Sequence, residues 1–327
     1  MKNIYIFGAN GQDGNLTKLK IRSLYSNCNF FLFSKDNLSC EKNNKITNFS
    51  IKSQNQYLNI TTEIMNKSCP DLIFYFAAVH YSSFESEIPG QDSEMVFTNY
   101  FLPIHILRNC NLFEKKPSFI YTSSSLIFAG SDINPQNEKT QRMPICNYSR
   151  NKTFAEEIII KLGKAMDIKI YIAILYNHES IFRKDKFFSK KVIKFCANSK
   201  RENNKQMGES LILYNPQTII DMGYAPEYVD IMIKLILSNM PGVYIISTGT
   251  KITVKNFVDK VLKYYGIEEN KIIYKSAKPR YENILVGDNS KLTNLIKSKV
   301  VFFGEKLINQ LCKDFDDYTS SMKNSRV

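Results

Sequence analysis

The sequence predicts an α/β protein: a doubly wound parallel sheet, covered by helices on both faces, followed by a smaller mixed lobe. Three observations predict it. Short apolar runs alternate with amphipathic stretches through the first half of the 327 residues, and a glycine-rich turn follows the first run at once. Past residue 176 the alternation gives way to a less regular, more polar pattern.

Ile4 to Phe7 reads as a buried first strand, and Leu16 to Arg22, just past the glycines, can form a helix. Phe30 to Phe33, Asp71 to Ala78, Phe119 to Thr122 and Ile168 to Leu175 read as further strands, separated by helical segments. Parallel strands need crossover connections, which are usually helices, so this rhythm implies a parallel sheet. Later, Lys186 to Ala197 has a helical pattern, and Asn198 to Gln206 reads as a solvated loop. The expected division is residues 1–176 for the sheet domain and 177–327 mainly for the second lobe, with some segments returning to the sheet.

With 43% hydrophobic residues the chain can bury a large core, and its longest apolar runs are far shorter than the roughly 20 residues of a membrane span. Met1 to Phe7 is too short for a signal-peptide core, so a cytoplasmic location is expected. Seven scattered cysteines (Cys28, Cys40, Cys69, Cys110, Cys146, Cys196 and Cys312) form no CxxC pair, which predicts reduced thiols and no metal. The net charge of +13 suits an anionic small molecule or nucleic acid. Its lysines are dispersed among Asn and Ser without an aromatic-basic motif, so no nucleic-acid partner is expected.

Gly8-Ala9-Asn10-Gly11-Gln12-Asp13-Gly14 lies between the first strand and the first helix. Small residues there let the backbone approach a pyrophosphate, and free N–H groups at the helix start favour its charge. Gly8, Asn10, Gly11, Gln12, Asp13 and Gly14 are therefore expected at a dinucleotide. A ribose-binding acid is missing at the end of the second strand, where Ser34-Lys35-Asp36 stands. Lys35 can pair with a 2′-phosphate, which favours NADP, while Asp36 keeps NAD possible.

Tyr148 and Lys152 are four apart, on one face if the segment is helical. An ammonium beside a phenol would favour the phenolate and suit the pair to proton transfer at a substrate hydroxyl. Upstream, Thr122-Ser123-Ser124-Ser125 closes an apolar strand, and Ser124 is the expected hydroxyl at the reacting oxygen. Glycine turn, strand-end serines and Tyr-Lys pair come in the order of the short-chain dehydrogenases/reductases, which the chain resembles.

Within that group the chain resembles the GDP-mannose 4,6-dehydratase family. The resemblance rests on Gly11 to Gly14, on Ala77-Ala78 with His80, and on Asn177-His178-Glu179-Ser180 followed by Arg183 and Phe187 to Lys190. It continues through Asp221 to Ala225, Tyr228 to Asp230, Ser247 to Gly249 and Leu285 to Asp288. The resemblance implies a Rossmann domain, tightly held NADP, a nucleoside-diphosphate sugar as substrate, and a homodimer or homotetramer. It places Ala77, Ala78, Tyr148, Lys152, His178 and Arg183 at the cofactor, and His80, Asn177, Lys190, Lys278 and Arg280 at the substrate.

Two departures matter. Where the family carries a glutamate that removes water across C5 and C6, this chain has Leu126, which cannot move a proton; Glu85 and Glu179 are the candidates for a displaced acid. Ile219-Ile220 stands where the family has a Lys-Arg pair. The expected activity is therefore hydride transfer at sugar C4, most simply reduction of a 4-keto sugar nucleotide. The alternatives are a 4,6-dehydratase with a displaced acid, a C4 epimerase, and a non-catalytic NADP-binding regulator.

Overall fold

A computed structural model describes residues 2–25, 27–35, 46–80, 92–201, 210–277 and 284–324. The first half runs β1 (Lys2–Phe7), α1 (Gln12–Leu24), β2 (Cys28–Ser34), β3 (Ile46–Ser50), α2 (Gln54–Lys67) and β4 (Leu72–Tyr75). It continues with α3 (Asp92–Val96), a π-helical turn over Phe97–Phe101, α4 (Leu102–Asn109), β5 (Ser118–Ser124), α5 (Asn147–Ala165) and β6 (Lys169–Leu175). Then come β7 (Asn177–Glu179), α6 (Phe188–Arg201), β8 (Leu211–Tyr214), β9 (Ile219–Ile220), β10 (Met222–Tyr224) and α7 (Ala225–Leu237). The chain closes with β11 (Gly242–Ile246), β12 (Ile252–Thr253), α8 (Val254–Tyr265), β13 (Ile272–Lys275), α9 (Ser290–Ile296) and α10 (Gly304–Asn324).

Seven strands form one sheet in the order β11-β6-β5-β4-β1-β2-β3, and every pairing in it is parallel. Successive side chains alternate faces, so each apolar run feeds two cores. Ile4, Ile6, Phe30 and Leu32 pack with Ile21 of α1 and Val229 and Met232 of α7. Tyr5, Phe7, Phe33 and Tyr121 pack on the opposite face with Ile106 of α4 and Ile159 of α5. A third core joins α6, α8 and α10 through Val192, Cys196, Val261, Ile308 and Cys312.

On the α4/α5 face five rings in register cross the sheet: Phe49, Phe33, Phe7, Tyr75 and Tyr121. Neighbouring centroids are 4.9, 4.3, 5.7 and 5.9 Å apart, all stacked. Such pairs add about 0.5–1.5 kcal/mol each beyond area burial. The Tyr75 and Tyr121 hydroxyls donate to the Thr98 and Asn99 carbonyls at 2.5 and 2.9 Å, tying the row to the π-helical turn.

Strand order reverses between β1 and β4, which opens a crevice beyond their C-terminal ends. Asp71 to Ala78 reads in the sequence as one strand, but β4 stops at Tyr75. Its last bond to β1 is Phe76 N–H to Phe7 O at 2.9 Å, after which Gly8 turns away at φ 81°. β3 carries no apolar run that would announce it, and β11, well past residue 176, forms the far edge of the large sheet. Helix α6 extends to Arg201, into the segment read as loop. The cysteines among the described residues are free thiols, and no described helix is long and apolar enough to cross a membrane. Among the described residues no cluster of His, Cys, Asp and Glu could hold a metal.

Candidate active site

The glycine turn sits at the β1/β4 crevice. A Cβ on Gly8 would lie 2.7 Å from Ala77 N, and one on Gly14 would lie 2.5 Å from Gly8 O and 2.7 Å from Ala9 Cα. Backbone meets backbone there, so neither position has room for a side chain. Gly11 begins α1 without a side-chain cap. First-turn N–H groups of such a helix form an anion-accepting end.

The side chains of this turn serve another end. Gln12 is buried, donates to His178 O at 2.9 Å and accepts from Ser180 Oγ at 2.9 Å. Asp13 meets His178 Nε2 at 3.0 Å, while His178 Nδ1 lies 2.8 Å from Tyr176 O. Burial would raise the Asp13 pKa, but the charge and hydrogen bond of His178 outweigh it and leave the carboxyl below its ordinary value. For His178, burial opposes the charged ring, and Asp13 again prevails, raising the pKa. The two segments quoted for the resemblance, Gly11 to Gly14 and Asn177 to Ser180, thus touch through three side-chain bonds.

Strand β7 sends alternate residues to opposite sides. His178 faces Asp13, whereas Glu179 accepts from Ser189 Oγ at 2.5 Å and pairs with Arg183 Nε at 3.4 Å. The Arg183 guanidinium lies 3.8 Å from the centre of the Phe187 ring. Lys190 is buried on the Glu179 side, donating to Ile181 O at 2.6 Å beside the Phe315 ring. Asn177 O accepts from Tyr228 Oη at 3.4 Å.

Strand β5 delivers three serines with different fates. Ser123 donates to the buried Glu156 at 3.0 Å, and Glu156 is gripped by Arg142 through Nε at 3.2 Å and Nη2 at 2.7 Å. Ser125 is buried. The Ser124 hydroxyl acts to lower the Tyr148 pKa, and its Oγ accepts from Leu126 N at 3.3 Å. Tyr148 and Lys152 both lie in the first turns of α5, whose start at Cys146 is closed by a capping box with Ser149.

Lys152 is 1% exposed, donates to Thr122 O at 2.9 Å and sits 4.6 Å from the centre of the Tyr121 ring, where the aromatic row ends. Burial lowers its pKa to about 7. Burial pushes Tyr148 up to about 12, against a smaller opposing effect of the Ser124 hydroxyl. The sequence suggests that the lysine favours the phenolate. In the structure its nitrogen is 6.0 Å from the Tyr148 ring centre, and burial dominates both groups.

Around the phenol, Tyr148 forms a buried pair with Met95, against which Val79, Leu126 and Cys146 pack. The His80 ring meets Tyr148 edge-on at 4.4 Å. Val79 is clamped by Asn99, which is fully buried, accepts from Val79 N and donates to Val79 O, both at 2.9 Å. Lys35 pairs with Glu94 at the rim. Lys278, Arg280, Glu85 and Asp36 lie outside the described residues. The Asn99 clamp and the Arg142–Glu156–Ser123 cluster escape sequence reading, because their partners are 14 to 33 residues apart with no periodicity to link them, and Met95 is farther still from Tyr148.

A family profile described as GDP-mannose 4,6 dehydratase matches residues 5–302. The chain belongs to the GDP-mannose 4,6-dehydratase family. Similar relatives are GDP-mannose 4,6 dehydratase 1 of Arabidopsis thaliana, 28% identical over 74% of this chain and 67% of that protein, and GDP-mannose 4,6 dehydratase of Dictyostelium discoideum, 28% identical over 64% of each. The chain spans about two thirds of the length of these curated relatives.

The fold is shared with dTDP-glucose 4,6-dehydratase from Bacillus anthracis in complex with NAD, at TM-score 0.81 and 14% identity over 97% of both chains. UDP-glucose 4-epimerase from Thermotoga maritima with UDP-glucose matches at TM-score 0.81 and 16% identity, over 97% of this chain and 99% of that one. RMD from Pseudomonas aeruginosa complexed with NADPH matches at 0.76 and 14%, over 97% and 100%. These likenesses show the doubly wound fold of this chain.

Proposed function

We propose that the chain is an NADP-dependent oxidoreductase acting at C4 of a nucleoside-diphosphate sugar, and that it reduces a 4-keto sugar nucleotide. One observation carries the reading: Ser124, Tyr148 and Lys152 suit carbonyl chemistry, while Leu126, which packs on the Tyr148–Met95 pair, stands where the family carries its glutamate. Asp13, the acidic group that bears on Tyr148, is held by His178.

The residues fit a dinucleotide. The turn that excludes any Cβ at Gly8 and Gly14, together with the uncapped start of α1, suits a pyrophosphate. Lys152 is a buried amine with capacity for more hydrogen bonds than its one to Thr122 O, which suits ribose hydroxyls. Lys35 suits a 2′-phosphate by exchanging its exposed ion pair with Glu94, a pair worth only about 0–1 kcal/mol. When bound, the nicotinamide supplies the hydride that reduces C4. Proteins of the same fold hold NAD, NADPH and UDP-glucose, which supports both ligand classes.

A phenol with a pKa of about 12 is protonated at neutral pH and so is set to act as an acid. As hydride arrives at C4, the Tyr148 O–H bond breaks and its proton passes to the carbonyl oxygen, with the Ser124 hydroxyl holding that oxygen. Hydride from a bound nicotinamide together with the Tyr148 proton would turn the ketone into an alcohol, and a proton from solvent would restore the phenol.

A second reading, 4,6-dehydration, is favoured by the activity for which the relatives are named. It requires an acid in place of Leu126; of the two candidates, Glu179 is held by Ser189 and Arg183, and Glu85 lies outside the described residues. The test is mass spectrometry after incubating the protein with a 4-keto-6-deoxy sugar nucleotide plus NADPH, and separately with GDP-mannose. Gain of two hydrogens in the first is expected, with Tyr148→Phe slowing it about 10²–10⁴-fold while NADPH binding persists. Loss of water from GDP-mannose would overturn the reductase reading in favour of dehydration.

A further inference from the structure

We propose that Tyr121 is a positioning residue for Lys152: the face of its ring holds the lysine as a charged ammonium in a buried site that gives it no counter-ion. The bearing of this contact on activity rests on the reading that Lys152 serves the cofactor ribose.

A buried ammonium ordinarily needs a carboxylate, because taking a charge out of water is costly unless it is paired. Lys152 is 1% exposed, and its neighbours are of other kinds. Its nitrogen donates to Thr122 O at 2.9 Å and stands 4.6 Å from the centre of the Tyr121 ring. Glu156 lies one turn further along α5, but that carboxylate is taken by Ser123 at 3.0 Å and by Arg142 at 2.7 Å. Tyr148, one turn earlier, has its ring centre 6.0 Å from the amine and is a neutral phenol with a pKa of about 12.

The Tyr121 ring is itself fixed. It is fully buried, its hydroxyl donates to Asn99 O at 2.9 Å, and it stacks with Tyr75 at 5.9 Å between centroids. A ring face carries negative potential, and an ammonium within about 6 Å of the centroid is drawn to it, more strongly where water is excluded. Burial pulls the lysine pKa down to about 7, and the ring works against burial by favouring the protonated form. Without the ring, Lys152 would release its proton at a lower pH.

The test reads the lysine directly, in the full chain without cofactor. With carbon-13 at the lysine Cε, the signal lost in Lys152→Met belongs to Lys152, and its chemical shift is followed as pH rises. Tyr121→Phe keeps the ring and gives up only the bond to Asn99 O, so its midpoint is expected within about half a pH unit of wild type. Tyr121→Leu, apolar but without a ring, is expected to lower the midpoint by about one unit. Phenylalanine carrying increasing numbers of ring fluorines at position 121 keeps the shape while draining charge from the face. Its midpoint should fall step by step, and this series decides the matter if Tyr121→Leu does not fold. A midpoint that ignores fluorination, or that is unchanged in Tyr121→Leu, would overturn the inference. NADPH affinity against pH, by fluorescence titration, is the second readout, and it is expected to begin weakening about one pH unit lower in Tyr121→Leu than in wild type. Midpoints that move while the pH dependence of NADPH affinity stays put would leave the hold of the ring on the lysine standing and overturn the reading that Lys152 serves the ribose.

Discussion

Replacing Lys152 by Met should stabilise the free protein. The ordinary lysine pKa of 10.5 falls to about 7 in the fold because the amine is buried. At about 1.4 kcal/mol per pH unit, that depression corresponds to about 5 kcal/mol of penalty while both states are protonated. The bond to Thr122 O, absent from the variant, returns about 1–2 kcal/mol, so Lys152→Met should be about 3–4 kcal/mol more stable at pH 6. Between pH 7 and 10.5 the unfolded chain holds a proton that the native chain has released, so the wild type gains stability as pH rises. The advantage of the variant should therefore shrink by about 1.4 kcal/mol per pH unit above 7. Urea unfolding of both proteins without cofactor, at pH 6, 7.5 and 9, measures it. A variant that is less stable at pH 6, or an advantage that ignores pH, would refute the reasoning.

Two further outcomes follow from the geometry. Arg142→Met leaves Glu156 buried with only Ser123 and should cost about 3–5 kcal/mol in urea unfolding, most of it recovered by adding Glu156→Leu; a single-variant loss near zero would show that the pair is not needed. Lys35→Ala should weaken NADPH binding about tenfold and leave NADH binding almost unchanged, read by fluorescence titration, with a loss that shrinks as salt rises.

Much of the frame is legible in the residue pattern because it rests on local chemistry. Ile4 to Phe7 and Phe30 to Phe33 are apolar on both faces, as strands covered on both sides must be, and Gly8 and Gly14 stand where backbone meets backbone. β3 is not legible: Ile46–Ser50 is a short polar segment made a strand by pairing with β2, with Phe49 completing the aromatic row. At the site, the Tyr148–Lys152 spacing can be read from the helix repeat, but their pKa values follow from burial, which spacing does not report. Ser123 is held by Glu156, itself gripped by Arg142, a contact no local pattern announces.

The bonds between the glycine turn and the start of the second lobe have a consequence for anyone recombining this scaffold. Gln12 and Asp13 have their side-chain partners at positions 178 and 180, more than 160 residues away. A chimera with its junction anywhere between would pair one parent's turn with the other's strand. It would inherit a buried carboxylate facing a foreign side chain unless both segments travel together. They are two ends of a single inheritable part.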